Sequence, residues 1–322
     1  MKHTHILSTG SYVPDNVIDN ATMEKLVDTS DEWITSRTGI ERRHISVDEN
    51  TSDLAYKAAL DALEKASMKP RDIELIIVAT VTGDYLFPGV SQLLQKRLGC
   101  ETVPAFDINA ACTGFVYALE IADKMMASGA YHNALIVGAE ALSKLTDFED
   151  RNTCVLFGDG AGAFVLERSE KSGVNAITVK SDGDTKGHLK LEGYPLKINF
   201  KTPEYSLPFI KMNGREIFRF ATQVFPAVIH ELLEKSKSTL KDLDLIVAHQ
   251  ANKRIIEKSA KTLKIPLEKM YMNIESMGNT SAASIPLAVD EAITSGRLKR
   301  GDTFAIAAFG GGLTWGGAII EY

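Results

Sequence analysis

Two stretches of this 322-residue chain repeat one another at a fixed spacing, and that repeat constrains the fold more than any other feature. LEKASMKPRDIELIIVAT begins at Leu63, and LEKSKSTLKDLDLIVAHQ begins at Leu233, 170 residues later. Each runs from a helix end through a polar turn and an acidic residue into an apolar run of strand length, IELIIVA or LDLIVAH. Unbroken apolar runs of this length suit strands covered on both faces of an α/β sheet. A second echo follows: ACTGFVYALEIADKMMASG around Cys112 and TSAASIPLAVDEAITSG from Thr280 both read as helices rich in small and apolar residues, closed by Ser-Gly. Each leads to a strand, ALIVGAE or TFAIAAF, and then through a glycine-rich turn to GAFVLE or GAIIE. A period this long implies two copies of one supersecondary plan packed together, with catalysis at their interface, rather than a solenoid of short repeats. The halves are expected at residues 1–171 and 172–322. The Gly-, Lys- and Asp-rich stretch from Ser172 to Phe209 lacks clear periodicity and is read as the variable connection.

The chain is long enough, and at 44% hydrophobic residues apolar enough, to bury a large core. A net charge of -6, with 36 basic and 42 acidic residues well mixed, argues against a nucleic-acid partner, which would call for a basic stripe. MKHTHILSTG has none of the regions of a signal peptide, and no apolar run is long enough to span a bilayer, so a cytoplasmic protein without membrane contact is expected. The three cysteines, Cys100, Cys112 and Cys154, are odd in number and widely spaced, which suggests neither a disulfide framework nor a zinc site. His3 and His5 lie close together without further ligands at suitable spacing, so no metal is expected.

Cys112 follows AFDINAA, which reads as a strand, and precedes the first helical echo, which places the thiol at a helix N-terminus. Free backbone N–H groups and the helix dipole favour an anion there and are expected to raise the thiolate fraction. A cysteine picked at random is more often a small core residue, and Cys100 and Cys154 keep that reading. His249 ends the second repeat's strand where the first copy has Ala79, and strand carboxyl ends are where active-site groups gather in parallel α/β sheets. A lone histidine is more often structural. Asn279, in MGNTSAAS, sits in a turn before the second helix, where an asparagine that caps or turns the chain is an equally good account. Together the three offer a nucleophile and two hydrogen-bond donors.

These residues carry a resemblance. TSDEWITSRTGIERR, DINAACTGF, GDGAGA, HQANKRI, GNTSAAS and FGGGLTWG occur in this order over nearly the full length, and the chain resembles the β-ketoacyl-[acyl-carrier-protein] synthase III family, the initiating condensing enzymes of bacterial fatty-acid synthesis within the thiolase superfamily. The resemblance implies a thiolase-like five-layer αβαβα fold and makes Cys112, His249 and Asn279 the catalytic set. It implies that an acyl-CoA primer acylates Cys112, and that malonyl-acyl carrier protein then binds, loses carbon dioxide and attacks as an enolate held by His249 and Asn279. Backbone N–H groups of Cys112 and Gly311 would hold the tetrahedral oxyanion, with glycine permitting close approach. No cofactor is implied, because CoA and the carrier's phosphopantetheine arrive as parts of the substrates.

By the same resemblance Trp33 and Arg151 flank the CoA adenine, with Thr29, Arg37 and Asn252 along the phosphate and pantetheine path. Phe87 matches the position that closes the acyl pocket of the neighbouring subunit in a homodimer. Without that context Trp33 and Phe87 would be core residues and Arg151 a solvated charge. Arg254, Lys258 and Lys261 fall on one face of the helix NKRIIEKSAKTLK while Ile255, Ile256 and Leu263 turn inward. A solvated helix face is the commoner explanation, yet this patch, with Arg219, suits an acidic carrier protein.

GDGAGA formally fits G-x-G-x-x-A, which makes a dinucleotide-binding oxidoreductase the rival of different chemistry. There the motif should follow a strand and open a helix, whereas AFVLE reads on as strand. A non-catalytic carrier-binding homologue would have lost Cys112, His249 or Asn279. A histidine in place of Asn279 would indicate the elongating synthases, and a late second cysteine a thiolase. A relative serving quinolone or polyketide starter synthesis, or taking longer acyl-CoA, stays open. Gly89 and Val90 stand where the resemblance leads one to expect a small polar residue beside the primer pocket, and the segment from Tyr194 to Pro208 is unfamiliar.

Overall fold

The computed structural model describes residues 3–193 and 208–322. Ten strands build two five-stranded sheets. The first half contributes β1 (His3–Tyr12), β2 (Ile76–Ala79), β3 (Ala105–Ile108), β4 (Asn133–Ala141) and β5 (Asp159–Ser169), in the order β1-β5-β4-β2-β3. The second contributes β6 (Val174–Ser181), β7 (Leu245–Ala248), β8 (Met270–Tyr271), β9 (Thr303–Gly310) and β10 (Thr314–Glu321), in the order β6-β10-β9-β7-β8. Each strand of the second sheet thus takes the place of the strand five before it. In both sheets the three strands at one side run parallel and the remaining two antiparallel.

Seven helices fill the layers around them: α1 (Asp31–Thr38), α2 (Thr51–Ala66), α3 (Val90–Leu98), α4 (Gly114–Ala127), α5 (Gly214–Ser236), α6 (Lys253–Leu263) and α7 (Ser284–Thr294). The middle layer is α4 and α7. Phe115 and Leu119 of α4 and Ile285 and Val289 of α7 pack with Ile77, Ile136 and Phe164 of one sheet and Val247, Phe304 and Ile306 of the other. On the outer face of the first sheet, α2 and α3 bury Leu54, Ala58 and Leu94 against Ile76, Val78 and Val137. On the second, α5 and α6 bury Phe225, Ile229 and Ile256 against Ile246, Ala305 and Ile319. The result is the five-layer αβαβα order. It explains the unbroken apolar runs, since Ile76 and Val78 face outward, Ile77 and Ala79 inward, and all four are fully buried. Burial of one such side chain contributes about 1.5–3 kcal/mol, so neither sheet tolerates a polar interior.

Glycines mark where the halves press closest. A Cβ on Gly162 of β5 would lie 2.7 Å from the backbone of Pro286 and Leu287 in α7, and one on Gly138 of β4 would strike the Ala282 carbonyl. GDGAGA is therefore a strand whose glycines admit a helix from the other half, which removes the dinucleotide reading. The stretch read as a connection differs from expectation: residues 174–181 form β6, pairing with β10. Its alternation was masked by Asn, Lys and Ser on the exposed face. The unfamiliar segment from Tyr194 lies outside the described residues as far as residue 207. Among the described residues no helix is long and apolar enough to cross a membrane.

Candidate active site

The 170-residue echo extends to single atoms at the seam between the halves. Ala111 and Ser281 occupy equivalent positions, and both have left-handed backbone, φ 46° and 48°. Such a conformation is costly for a residue with a Cβ and persists only where the surroundings enforce it. An asparagine two residues earlier holds each turn: Asn109 Oδ1 accepts from Ala111 N at 3.4 Å, and Asn279 Oδ1 accepts from Ser281 N at 2.9 Å. The first turn delivers Cys112 to the start of α4, and the second delivers Asn279. With its oxygen engaged, the Asn279 amide leaves its NH2 as the free end.

Cys112 is 9% exposed. A Cβ on Gly310 would lie 2.8 Å from the Cys112 backbone nitrogen, so the end of β9 packs directly on the nucleophile turn. Gly311, the next residue, lies against Leu189, and it is Gly310 whose missing side chain allows the approach to Cys112. Thr314 Oγ1 clamps the two turns, with Ala110 O, Gly311 O and Thr113 Oγ1 each 3.0 Å away. Burial pushes the Cys112 thiol up to about 12, against the pull of the Ser281 hydroxyl and helped by the Glu140 carboxylate. This corrects the expectation of a thiolate favoured by the helix start. The helix N-terminus is present, but desolvation of a fully enclosed sulfur outweighs it.

His249 follows β7 and is buried at 1% exposure, its backbone N donating to Ala307 O at 2.8 Å. Its Nδ1 lies 2.6 Å from Ser284 Oγ, and the Phe309 ring packs edge-on at 5.4 Å. Burial holds the imidazole down at about 3, so the ring is neutral at neutral pH. Ser284 makes no other hydrogen bond among the described residues, which fits its hydroxyl as donor to Nδ1 and leaves the ring proton on Nε2. Residues 279–284 thus carry Asn279, reach Cys112 through Ser281 and seat His249 through Ser284. Neither serine, nor Thr314 or Gly310, was singled out in the sequence, although TSAAS and FGGG contain three of them.

The residues expected near CoA come together at the mouth of this seam. Arg151 lies 5.0 Å and Arg37 5.7 Å from the Trp33 ring, and Asn252 Nδ2 donates to Arg37 O at 3.0 Å. The Thr29 hydroxyl is buried without a partner. Arg151 rests on the indole itself, so a base entering between them has to lift the guanidinium, which is exposed and held by Asp28 O at 2.9 Å. Phe87 is 86% exposed beside Leu86 at 71% and Tyr85 at 63%, an apolar tip and not a core residue. Gly89 has a local reason: a Cβ there would strike the Asp107 carboxylate, which accepts from Val90 N and Ser91 N at the start of α3. Arg254 and Lys258 stack on Phe218, and with Arg219 and Lys261 they line two adjoining grooves on the α5–α6 face, where Arg219 also pairs with Glu216 at 2.6 Å. Among the described residues no group of three or more His, Cys, Asp or Glu is arranged to hold a metal.

Two copies of one αβα plan, with a cysteine turn from one meeting a histidine and an asparagine from the other, define a condensing enzyme of the thiolase fold. Family models agree in both halves: residues 106–183 match 3-oxoacyl-[acyl-carrier-protein] synthase III, and residues 233–322 match its C-terminal part. The chain belongs to the β-ketoacyl-[acyl-carrier-protein] synthase III family. It is 51% identical to the β-ketoacyl-[acyl-carrier-protein] synthase III of Clostridium perfringens over the whole of both chains. The crystal structure of 3-oxoacyl-[acyl-carrier-protein] synthase III from Aquifex aeolicus superposes with a TM-score of 0.93 at 46% identity, covering 99% of this chain and all of that one. The priming β-ketosynthase of the R1128 polyketide pathway superposes with a TM-score of 0.92 at 34% identity, covering 99% and 96%.

Proposed function

We propose that the protein condenses an acyl-CoA primer, acetyl-CoA or a related short or branched one, with malonyl-acyl carrier protein, giving β-ketoacyl-acyl carrier protein, CoA and carbon dioxide, and so initiates fatty-acid synthesis. The observation that carries this reading is the buried segment 279–284, which serves the nucleophile and both donors at once.

The Cys112 sulfur attacks the primer's thioester carbonyl, its proton leaves with CoA, and the acyl group stays on sulfur. The tetrahedral oxyanion is held by the backbone N–H groups of Cys112 and Gly311. Malonyl-acyl carrier protein then enters, its carboxylate carbon–carbon bond breaks, and the electron pair moves into an enolate. Asn279 NH2 and His249 Nε2–H donate to the enolate oxygen. A neutral histidine suits this, since it donates without competing as an acid. The enolate carbon attacks the acyl carbonyl, and collapse expels the Cys112 thiolate, which regains a proton.

Trp33, Arg37, Arg151, Thr29 and Asn252 hold CoA, the guanidinium and indole planes receiving the adenine. Arg254, Lys258, Lys261 and Arg219 receive the acidic carrier protein. The exposed Phe87 tip closes against a second copy, making the working form a homodimer in the cytoplasm. A starter enzyme of a secondary pathway would share this chemistry, and the likeness to the R1128 priming enzyme keeps that reading second. The test is incubation with malonyl-acyl carrier protein and acyl-CoA primers of increasing and branched length, with Cys112→Ala as control, following products by mass. A Cys112-dependent β-ketoacyl product supports the assignment and identifies the primer. Its absence from a folded protein with every primer refutes it.

A further inference from the structure

Glu140 is a buried carboxyl that the condensation does not use. It lies near the end of β4, 0% exposed, among groups that all donate to it: Thr82 Oγ1 at 2.8 Å, Thr80 Oγ1 at 3.3 Å, and Val81 N at 3.2 and 3.1 Å to its two oxygens. The Ser281 hydroxyl reaches it from the other half. The same hydroxyl reaches the Cys112 sulfur. Ser281 is held in place by its left-handed backbone and by its N–H bond to Asn279. A hydroxyl has one proton to donate, so it serves the carboxylate or the sulfur, not both.

We propose that Glu140 is a positioning residue for the acylation of Cys112, its charge state deciding whether the Ser281 hydroxyl donates to the carboxylate or to the thiolate sulfur. The inference rests on Cys112 being the nucleophile. Charged Glu140 draws the hydroxyl away and sets a like charge beside the sulfur in a dry seam, where screening is weak. Neutral Glu140 releases the hydroxyl and removes that charge. Burial brings Glu140 up to about 7, against the hydrogen bonds of Thr82, Val81, Ser281 and Thr80, so the change of state falls near neutral pH. The groups facing it are those four and Cys112, with no basic side chain among them. The neighbouring strand β5 presents Gly160 opposite it, and Asp159, opposite Ala141, is occupied by Ser46 N and Ser143. Helix α4 brings only apolar side chains to this core, including Phe115 and Ala118.

The test is the rate of Cys112 alkylation by iodoacetamide between about pH 5.5 and 9.5 on the full chain, read at the Cys112 peptide by mass so that Cys100 and Cys154 do not contribute. A like charge at this range shifts a titration by one unit or more, so Glu140→Gln is expected to react about tenfold faster than the wild type above pH 8 and within about twofold at pH 6. Ser281→Ala is expected to react several-fold more slowly than the wild type at pH 6 and equally at pH 9. Superimposable profiles of folded Glu140→Gln and wild type overturn the proposal. Should Glu140→Gln fail to fold, a Ser281→Ala profile that superimposes on the wild type overturns it equally. Alkylation needs no carrier protein or malonyl group, so a failed condensation assay and a failed coupling between Glu140 and Cys112 are told apart.

Discussion

Replacing Ser284 by alanine removes one hydroxyl and isolates the tautomer of His249. Ser284 Oγ sits 2.6 Å from His249 Nδ1, and both residues are buried, at 2% and 1% exposure, so no bulk water replaces the lost donor. An unsatisfied buried acceptor costs about 1–3 kcal/mol. The ring escapes that cost by moving its proton toward Nδ1, which turns a bare Nε2 lone pair toward the enolate. At about 1.4 kcal/mol per tenfold, decarboxylation of malonyl-acyl carrier protein falls by roughly five- to 150-fold. Acyl transfer from acyl-CoA to Cys112 needs no donor at Nε2 and is expected to change by less than about threefold. Radiolabelled carbon dioxide release measures the first step and single-turnover mass spectrometry of acyl-Cys112 the second. A folded Ser284→Ala variant that decarboxylates at the wild-type rate, or loses both steps equally, refutes the assignment of Ser284 as the group that sets the Nε2 proton.

Glu140 and His249 act on pH-dependent stability with opposite signs. Glu140 is raised from 4.5 to about 7, so the folded state holds its proton longer and stability falls as pH rises between those values. His249 is lowered from 6.5 to about 3, so the unfolded state binds the proton first and stability falls as pH drops through that window. Urea unfolding of Glu140→Gln should therefore gain roughly 3 kcal/mol relative to the wild type on going from pH 4.5 to 7, and a constant difference would contradict the buried titration. Gly162→Ala sets a Cβ 2.7 Å from the backbone of α7 and is expected to cost at least about 1–3 kcal/mol by overpacking, read as a lowered urea midpoint. Trp33→Ala should raise KM for acyl-CoA several-fold while leaving kcat within about twofold, and an unchanged KM would remove Trp33 from the CoA site. Phe87→Asp, at an exposed apolar tip, should shift the sedimentation profile from dimer toward monomer, and an unaltered dimer would exclude Phe87 from the interface.

Much of the fold was legible because its signals are local and repeated. The offset between Leu63 and Leu233 and the two small-residue helices identify a duplicated α/β plan, since an apolar run four residues long or a helix stripe is written in neighbouring letters. Cys112, His249 and Asn279 were found the same way, each at a strand end or helix start. The strand 174–181 was missed because one of its faces is solvated and its letters are those of a loop. Glu140 left a trace, an acidic residue closing the otherwise apolar ALIVGA, but nothing in that run reveals what surrounds it.

The sequence by itself determined the two-fold plan, the layer order and the three side chains that chemistry of this kind needs. Only the tertiary structure decided their electrical state. Packing β9 onto the Cys112 turn and α7 onto β5 closes the seam to water, which raises the thiol and the Glu140 carboxyl and keeps His249 neutral. Desolvation and hydrogen bonds between residues such as Ser284 and His249, 35 positions apart, depend on how the halves meet and on no local pattern of letters.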